Sequence, residues 1–253
     1  MFILKIEKYK KMSKGRYQLL LDNGEKLVLY EEVILKFELL LKKEIDVNTM
    51  IEVDKLNQEW DVYYQGLNSL RVRYKSIYEL ELFLLKKEYP QDLVDKSIHK
   101  LMEQGYLNDR SFTKGYIHNK MVTSNSGPNK IEKELLDKKI DLSIISEEMK
   151  VFTREEQEIK VKKIIEKEIR SNRNRGGIVL KNKIYHDLIQ YGYDSSISTS
   201  ILSSYTFDTD SSLYQKEYDK YYRKYSRKYS GEELERKIRE KLYLKGFRSS
   251  ITE

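Results

Sequence analysis

The distribution of hydrophobic residues divides this chain into two parts, with short apolar stretches before residue 67 and helical spacing from residue 68. In the first part, the apolar stretches 17–21 and 26–30 flank the dipeptide Asn23-Gly24. Because Asn-Gly supplies the positive backbone dihedrals of a tight turn, this pattern predicts a β-hairpin and a small sheet. Residues 31–42 are predicted to form a helix, and residues 49–53 either a strand or the start of the next helix.

From residue 68 onward, apolar residues recur in the same order four times. Each unit has an aromatic or aliphatic anchor near a helix end, and successive anchors are 51, 53 and 54 residues apart. Apolar residues also occupy four fixed offsets from every anchor, which predicts one structural unit repeated four times. The anchors are Tyr89, Ile140, Tyr193 and Phe247; nine positions earlier stand Leu80, Ile131, Ile184 and Ile238; five earlier, Leu84, Leu135, Leu188 and Leu242; four earlier, Leu85, Leu136, Ile189 and Tyr243; four later, Leu93, Ile144, Ile197 and Ile251.

Each repeat is predicted to contain three helices. The three positions before the anchor share one helical face, and the interval after the anchor indicates a turn into another helix. Gly192 and Gly246 precede their anchors, where a helix end commonly needs a left-handed residue. Lys139 takes this place in the second repeat and predicts a different turn geometry there. A further amphipathic helix begins each unit, at residues 56–68, 109–123, 155–171 and 211–229.

A three-helix unit of about 50 residues buries little surface alone and stacks on its neighbours. The predicted fold class is therefore mainly α, with tandem three-helix, helix-turn-helix-like repeats in an elongated curved array and a small amino-terminal β-rich domain. The last helix of repeat 4 is expected to be short, because the sequence ends at Glu253. The predicted boundaries are 1–55 for the amino-terminal domain and 56–108, 109–153, 154–206 and 207–253 for repeats 1 to 4.

Amino-acid composition indicates the cellular compartment of the protein and the charge of its partner. The chain has 253 residues, of which 35% are charged, and it has no cysteine, which favours a reducing compartment. It has neither an apolar run long enough to span a bilayer nor a signal-peptide apolar region, so we expect a cytoplasmic protein without membrane contact. The formal charge is +7. Residues 1–66 carry 11 basic and 12 acidic side chains, so the surplus lies in the helical part and suggests an anionic partner.

The stretch 214–229 combines six tyrosines with six basic residues. At about 100 degrees per residue, the tyrosines fall within a sector of roughly 100 degrees and five of the six basic residues fall on the opposite side. This separation predicts that the tyrosines belong to the core and removes support for base stacking on them. The basic side is either a solvated face or a docking face for phosphate or acidic protein. It contains Lys216, Lys220, Arg223 and Arg227.

A second basic segment, residues 160–183, has nine basic and two acidic residues. Three arginines crowd into the polar stretch before Gly176-Gly177, which is predicted to begin a repeat helix. Flexible guanidinium groups there could reach phosphates or an acidic protein surface. The candidate binding residues of this segment are Arg170, Arg173, Arg175 and Lys181.

Residues with catalytic chemistry are scarce. The three histidines, His99, His118 and His186, lack the mutual spacing of a metal site. Asp208 and Asp210 lie in a Ser/Thr-rich connection, where aspartate most often caps the next helix. The chain has no Walker-type glycine loop. We therefore expect a protein that is not an enzyme and has no metal or cofactor.

Three motifs in order carry a family resemblance: LRVRYKSIYEL at 70–80, GYLND at 105–109 with Phe112, and GPNKIEKELLDKKI at 127–140. With the later repeats and the amino-terminal sheet, they resemble the RecX family of recombination regulators, in its long, Gram-positive-type form. The resemblance covers nearly the whole chain. Lys75 and Lys139 depart from the family pattern, in which Arg and Gly are usual at these places.

The motif residues have predicted structural roles. Gly105 ends a helix, Tyr106 and Leu107 pack across the joint, Asp109 caps the next helix, and Phe112 is buried one turn later. Ser76 is predicted to be a helix N-cap that forms a capping box with Glu79.

The resemblance implies a non-catalytic regulator of homologous recombination and DNA repair. Such a regulator binds the RecA filament on single-stranded DNA and inhibits its growth, ATPase and strand exchange. The implied partners are RecA and single-stranded or double-stranded DNA, and we expect a monomer. The alternative is a helix-turn-helix-type DNA-binding module that acts without RecA, and a scaffold for other acidic proteins is a third interpretation.

Overall fold

The computed structural model describes residues 3–207 and 211–247. The chain divides into two compact units, Met1–Phe112 with Lys138–Ile140 and Thr113–Asp137 with Asp141–Glu253. Both units are mainly helical, and the sheet lies in the first. Ile251 and the end of repeat 4 lie outside the described residues, as do Asp208 and Asp210.

The first unit begins with a four-stranded antiparallel sheet. Its strands are β1 (Ile3–Lys11), β2 (Arg16–Leu21), β3 (Lys26–Tyr30) and β4 (Glu44–Asp46), in the spatial order β3-β2-β1-β4. The predicted hairpin is confirmed, since β2 pairs with β3 and Gly24 has a φ of 84°. The inward faces of β2 and β3 bury Leu19, Leu21 and Leu29 in a core of their own.

Two short helices separate β3 from β4, α1 (Glu31–Lys36) and α2 (Leu39–Lys42). The single helix predicted for residues 31–42 is therefore interrupted, because Glu38 adopts a left-handed conformation with a φ of 54°. Helix α3 (Val47–Val72) follows, and the Asp46 carboxylate caps it by accepting hydrogen bonds from the Asn48 and Thr49 amides. Residue 55 lies inside α3, so the helix crosses the proposed end of the amino-terminal domain; the domain boundaries stay predictions.

The remaining helices follow the predicted order, with three helices in each of repeats 1 to 3 and two in the described part of repeat 4. Repeat 1 continues from α3 into α4 (Ile77–Leu85) and α5 (Gln91–Glu103). Repeat 2 contains α6 (Asp109–Thr123), α7 (Pro128–Asp137) and α8 (Leu142–Glu148), and a 3-10 turn (Met149–Val151) follows. Repeat 3 contains α9 (Arg154–Ser171), α10 (Gly177–Tyr191) and α11 (Ser195–Ser203), and repeat 4 contains α12 (Ser211–Tyr225) and α13 (Gly231–Leu244).

The repeated apolar positions differ in burial. The positions nine and five before the anchor are buried in all four repeats, at 2% exposure or less. The position four before the anchor was expected in the same core, but Leu136, Ile189 and Tyr243 are 41%, 39% and 72% exposed. This position is one residue past the buried one, about 100 degrees further around the helix, and it lies at the edge of the buried face.

The residue before each anchor has the same backbone conformation in all repeats. Glu88, Lys139, Gly192 and Gly246 have positive φ values of 64°, 59°, 91° and 86°. The different turn geometry expected at Lys139 is therefore wrong. Lysine adopts the left-handed conformation that glycine adopts elsewhere, and the Ser76 hydroxyl donates a hydrogen bond to the carbonyl of the preceding Lys138 at 3.3 Å.

Joints between successive repeats pair a helix start with this left-handed turn. The Gly127 amide donates to the Tyr191 carbonyl at 2.7 Å, and the Gly176 amide donates to the Lys245 carbonyl at 2.8 Å. A β-carbon at Gly127 would lie 2.7 Å from the Gly192 carbonyl oxygen, and one at Gly176 would lie 2.2 Å from that of Gly246. Backbone therefore packs directly on backbone at both joints.

The family motif residues have structural roles, with two corrections. The capping box of Ser76 and Glu79 is confirmed, Gly105 ends α5 with a φ of 74°, and Leu107 and Phe112 are buried. Asp109 does not cap its own helix, because the Asn108 side chain accepts from the Ser111 amide and Asp109 accepts from the Ile77 amide of α4. Tyr106 was expected to pack across the joint, but more than half of it, 56%, is exposed.

Within residues 3–207 and 211–247, none of the helices combines the length and the apolar composition that crossing a membrane requires.

Candidate functional site

Helix α12 presents its tyrosines to α13. Four of them and Tyr229, which follows the helix, pack against a buried cluster built from α13 residues and Phe247; the four are Tyr214, Tyr218, Tyr221 and Tyr225. The Tyr218 hydroxyl donates to Glu235 at 2.6 Å, and this bond together with burial raises the pKa of Tyr218 to about 12. The core interpretation of these tyrosines is confirmed. Tyr222, predicted on the same face, is 46% exposed.

The opposite side of α12 faces solvent. Lys216, Lys220 and Arg223 are exposed, and Arg227 is exposed just beyond the end of the helix. The Arg223 Nε donates to the Asp219 carbonyl of the preceding turn at 3.3 Å. This bond uses the Arg223 Nε and not the two outer amino groups of the guanidinium, which are also hydrogen-bond donors.

The loop after α9 holds the arginines of the second basic segment. The Asn172 side chain accepts from the Arg175 amide at 3.1 Å and donates to the Arg175 carbonyl at 2.8 Å. The Arg173 Nη1 donates to the carbonyls of Arg170 and Asn172, at 2.9 and 3.1 Å. These bonds satisfy the end of α9 and fix the Arg173 guanidinium in place.

A shared turn brings this loop beside α12. The Gly176 amide at the end of the loop donates to the Lys245 carbonyl, and the Lys245 Nζ donates to the Glu217 carboxylate of α12 at 2.5 Å. Glu217 is only 3% exposed. Burial alone would lower the pKa of Lys245, but the hydrogen bond to Glu217 and the nearby Tyr221 outweigh burial and raise it. The buried carboxylate therefore has a protonated partner.

The two segments meet at a depression of about 570 Å³, which we call the basic depression. Its wall contains four cations and one carboxylate, and Lys245 already pairs with that carboxylate. The Lys220 Nζ is 3.8 Å from Glu217, and the remaining cations leave the wall strongly positive. Arginine forks and lysine ammonium groups so arranged suit phosphate or carboxylate oxygens. The lining residues are Arg173, Asn174, Lys216, Glu217, Lys220 and Arg223.

Four of the eight predicted binding residues thus come together, and the other four lie outside the basic depression. Arg170 lines a separate depression of about 490 Å³ beside Tyr205. Lys181 is half-buried, with its Nζ 5.9 Å from the centre of the Phe207 ring, and Arg175 and Arg227 are exposed. Charge patterning missed Asn174 and Glu217, because neither is basic; their place follows only from the contact between Gly176 and Lys245.

The three histidines do not form a metal site. His99 is exposed beside Glu103, with 3.4 Å between its Nδ1 and the carboxylate, and His118 and His186 are exposed on α6 and α10. Over residues 3–207 and 211–247, His, Asp and Glu side chains do not gather in threes in a way that could hold a metal ion.

Comparison with known proteins identifies relatives over most of the chain, although no family model matches it. The chain is 27% identical over 251 residues to Regulatory protein RecX of Halalkalibacterium halodurans. This alignment covers 96% of this chain and 94% of the relative. It is 30% identical over 202 residues to Regulatory protein RecX of Listeria welshimeri, covering 78% and 74% of the two chains.

Solved structures agree with these relatives. A crystal structure of regulatory protein RecX matches with a TM-score of 0.65 and 26% identity, over 78% of this chain and 98% of that one. RecX from Lactobacillus salivarius matches with a TM-score of 0.54 and 25% identity, over 59% of this chain and 97% of that one.

Proposed function

This chain belongs to the RecX family of regulatory proteins, and we propose that it regulates RecA by binding the RecA filament on single-stranded DNA. In this proposal the bound protein inhibits filament growth, ATP hydrolysis and strand exchange, and it has no catalytic activity of its own. The basic depression provides the contact with the filament, through DNA phosphates or acidic RecA side chains.

The observation that supports this proposal is the meeting of Arg173 with Lys216, Lys220 and Arg223 on one exposed wall. A solvated basic face needs no such arrangement, since isolated surface cations are common and interact weakly. Here the loop after α9 in repeat 3 and helix α12 in repeat 4 are both tied to Lys245, by the Gly176 amide and by the buried Glu217 carboxylate. Arg170, Arg175, Lys181 and Arg227 remain proposed contributors outside the depression.

The test is RecA ATPase activity on single-stranded DNA during titration with this protein. We expect inhibition at well below one copy per RecA, because one bound regulator that stops filament growth affects many protomers. The variant Lys216→Glu/Lys220→Glu/Arg223→Glu should require roughly tenfold more protein or higher, since each reversal removes an attraction and adds a repulsion.

The matched control reverses three exposed lysines of the sheet, Lys8→Glu/Lys10→Glu/Lys26→Glu. It changes net charge equally and should inhibit like the wild type. If both variants lose inhibition of RecA ATPase equally, the basic depression is not the contact with the filament. Tight binding to bare DNA by anisotropy without any ATPase inhibition would favour the helix-turn-helix-type DNA-binding module that acts without RecA.

A further inference from the structure

The segment between α3 and α4 exposes an aromatic ring among cations. Val72 and Tyr74 are 85% and 86% exposed, so neither side chain contributes to the core. Arg71, Arg73 and Lys75 alternate with them in sequence. Helix α3 ends at Val72, and Arg73 is extended, with a φ of −157° and a ψ of 149°. Tyr74 follows this extended residue, and Arg71 and Arg73 are exposed like the ring.

One of these basic residues, Arg73, shares the Glu79 carboxylate with Lys138. The Arg73 Nη2 is 3.5 Å and the Lys138 Nζ 2.6 Å from Glu79. The Lys75 Nζ lies 3.4 Å from the Ser69 carbonyl, and burial and the nearby Arg73 lower the pKa of Lys75. The cations outnumber this carboxylate, so the segment that carries Tyr74 has a surplus of positive charge.

We propose that Tyr74 is a stacking platform for a base of single-stranded DNA, with Arg71 and Arg73 contacting the adjacent phosphates. An exposed ring next to cations matches the two requirements of binding without sequence preference, a π-face for the base and positive charge for the backbone. An acidic protein segment would use the cations and would leave the ring without a role. The inference rests on the proposed function only for the presence of single-stranded DNA in the filament.

This site is separate from the basic depression. Its residues belong to the unit Met1–Phe112 with Lys138–Ile140, whereas the basic depression belongs to the other unit. It also differs in chemistry, because the wall of the basic depression has no aromatic residue. The two sites can therefore be changed independently.

The direct test is fluorescence of Tyr74→Trp during titration with oligo(dT), without RecA. Stacking on a base quenches tryptophan, so we expect the emission added by this substitution to fall by about half or more. Wild-type protein supplies the baseline from its single tryptophan, Trp60. The control is Tyr106→Trp, at another exposed tyrosine of the same unit, and its emission should not change. Unchanged emission of Tyr74→Trp at saturating oligo(dT), or no binding of oligo(dT), overturns the proposal.

Affinity provides the second measurement. Tyr74→Ala should weaken oligo(dT) binding about tenfold, Tyr74→Phe should retain it, and Tyr106→Ala should have no effect. On an oligonucleotide of abasic sites, Tyr74→Ala should bind as wild type does, since the phosphates remain and the bases are gone. Loss of affinity in Arg71→Glu without loss in Tyr74→Ala would mean a purely electrostatic contact and would overturn stacking. A failure of RecA inhibition leaves these DNA measurements intact, so the two proposals fail separately.

Discussion

At the scale of single residues, the left-handed turn before each anchor shows how one backbone requirement is met by different side chains. Gly192 and Gly246 adopt positive φ without steric cost, whereas Glu88 and Lys139 adopt it with a β-carbon. A left-handed conformation costs roughly 1–2 kcal/mol for an L-residue. The first two repeats therefore accept strain at a position where the last two have none.

Lys139→Gly should raise the free energy of unfolding by up to about 1.5 kcal/mol. Relief of the left-handed strain contributes roughly 1–2 kcal/mol, and the greater freedom of glycine in the unfolded chain removes about 0.4–1 kcal/mol of it. Urea denaturation followed by circular dichroism measures the change. Lys139→Ala removes the side chain and keeps the strain, so it separates the two effects; a glycine variant less stable than the alanine variant would contradict the prediction.

The hydrogen-bond partners of individual side chains could not be predicted from the sequence. The motif GYLND predicted a capping aspartate, but two adjacent residues, Asn108 and Asp109, both have side chains suited to capping. Asn108 caps α6, and Asp109 bonds to the Ile77 amide 32 residues away. Local pattern indicates that a cap is present, whereas the long-range contact decides which residue supplies it.

At the scale of helices, the joints between repeats depend on close backbone packing. Gly176 precedes α10 and lies against the turn after α13, where no space exists for a β-carbon. The hydrogen bond from the Gly176 amide to the Lys245 carbonyl would survive in an alanine variant, so this substitution tests packing alone. The same turn carries Lys245 to Glu217 and thus positions α12.

Gly176→Ala should destabilise the protein by about 2 kcal/mol or more, because backbone atoms must move apart to admit the methyl group. Hydrogen exchange of the α13 amides should accelerate, since α13 is held at this joint. Gly115→Ala is the control: Gly115 lies within α6 with no atom within 4 Å of its β-carbon position, and alanine there should stabilise by about 0.5–1 kcal/mol. Similar exchange rates for α13 in both variants would show that the joint does not depend on close packing.

Helical spacing was the strongest signal in the sequence, and its errors have physical causes. The period of 3.6 residues identified the helices and the positions nine and five before the anchor, all of which are buried. Hydrophobicity alone could not separate these from the position four before the anchor, because that residue lies on the border of the same face. Helix α3 was underestimated at its start, since residues 49–53 suit a strand as well as a helix.

At the scale of the whole molecule, the charge of the chain is unequally distributed. Residues 1–66 are nearly neutral, and the basic surplus follows in the repeats. Charge counting identified both basic segments, but the meeting of Arg173 with α12 depends on contacts between residues 176 and 245 and between 217 and 245. Contacts across such separations follow from the fold of two successive repeats and cannot be read from either segment.

The salt dependence of DNA binding should show whether the position of the basic residues matters or only the net charge. On single strands each phosphate neutralised by the protein contributes about 0.7 to the slope of log affinity against log salt concentration. Lys216→Glu/Lys220→Glu/Arg223→Glu removes three such contacts and should reduce the slope by about 2.

The control variant Lys8→Glu/Lys10→Glu/Lys26→Glu carries the same net charge and should keep the wild-type slope. Anisotropy with oligo(dT) between 50 and 200 mM salt, about the range where such slopes are measured, decides the matter. An equal reduction in both variants would mean that net charge alone attracts the DNA, and an unchanged slope in the first would exclude the basic depression as its contact.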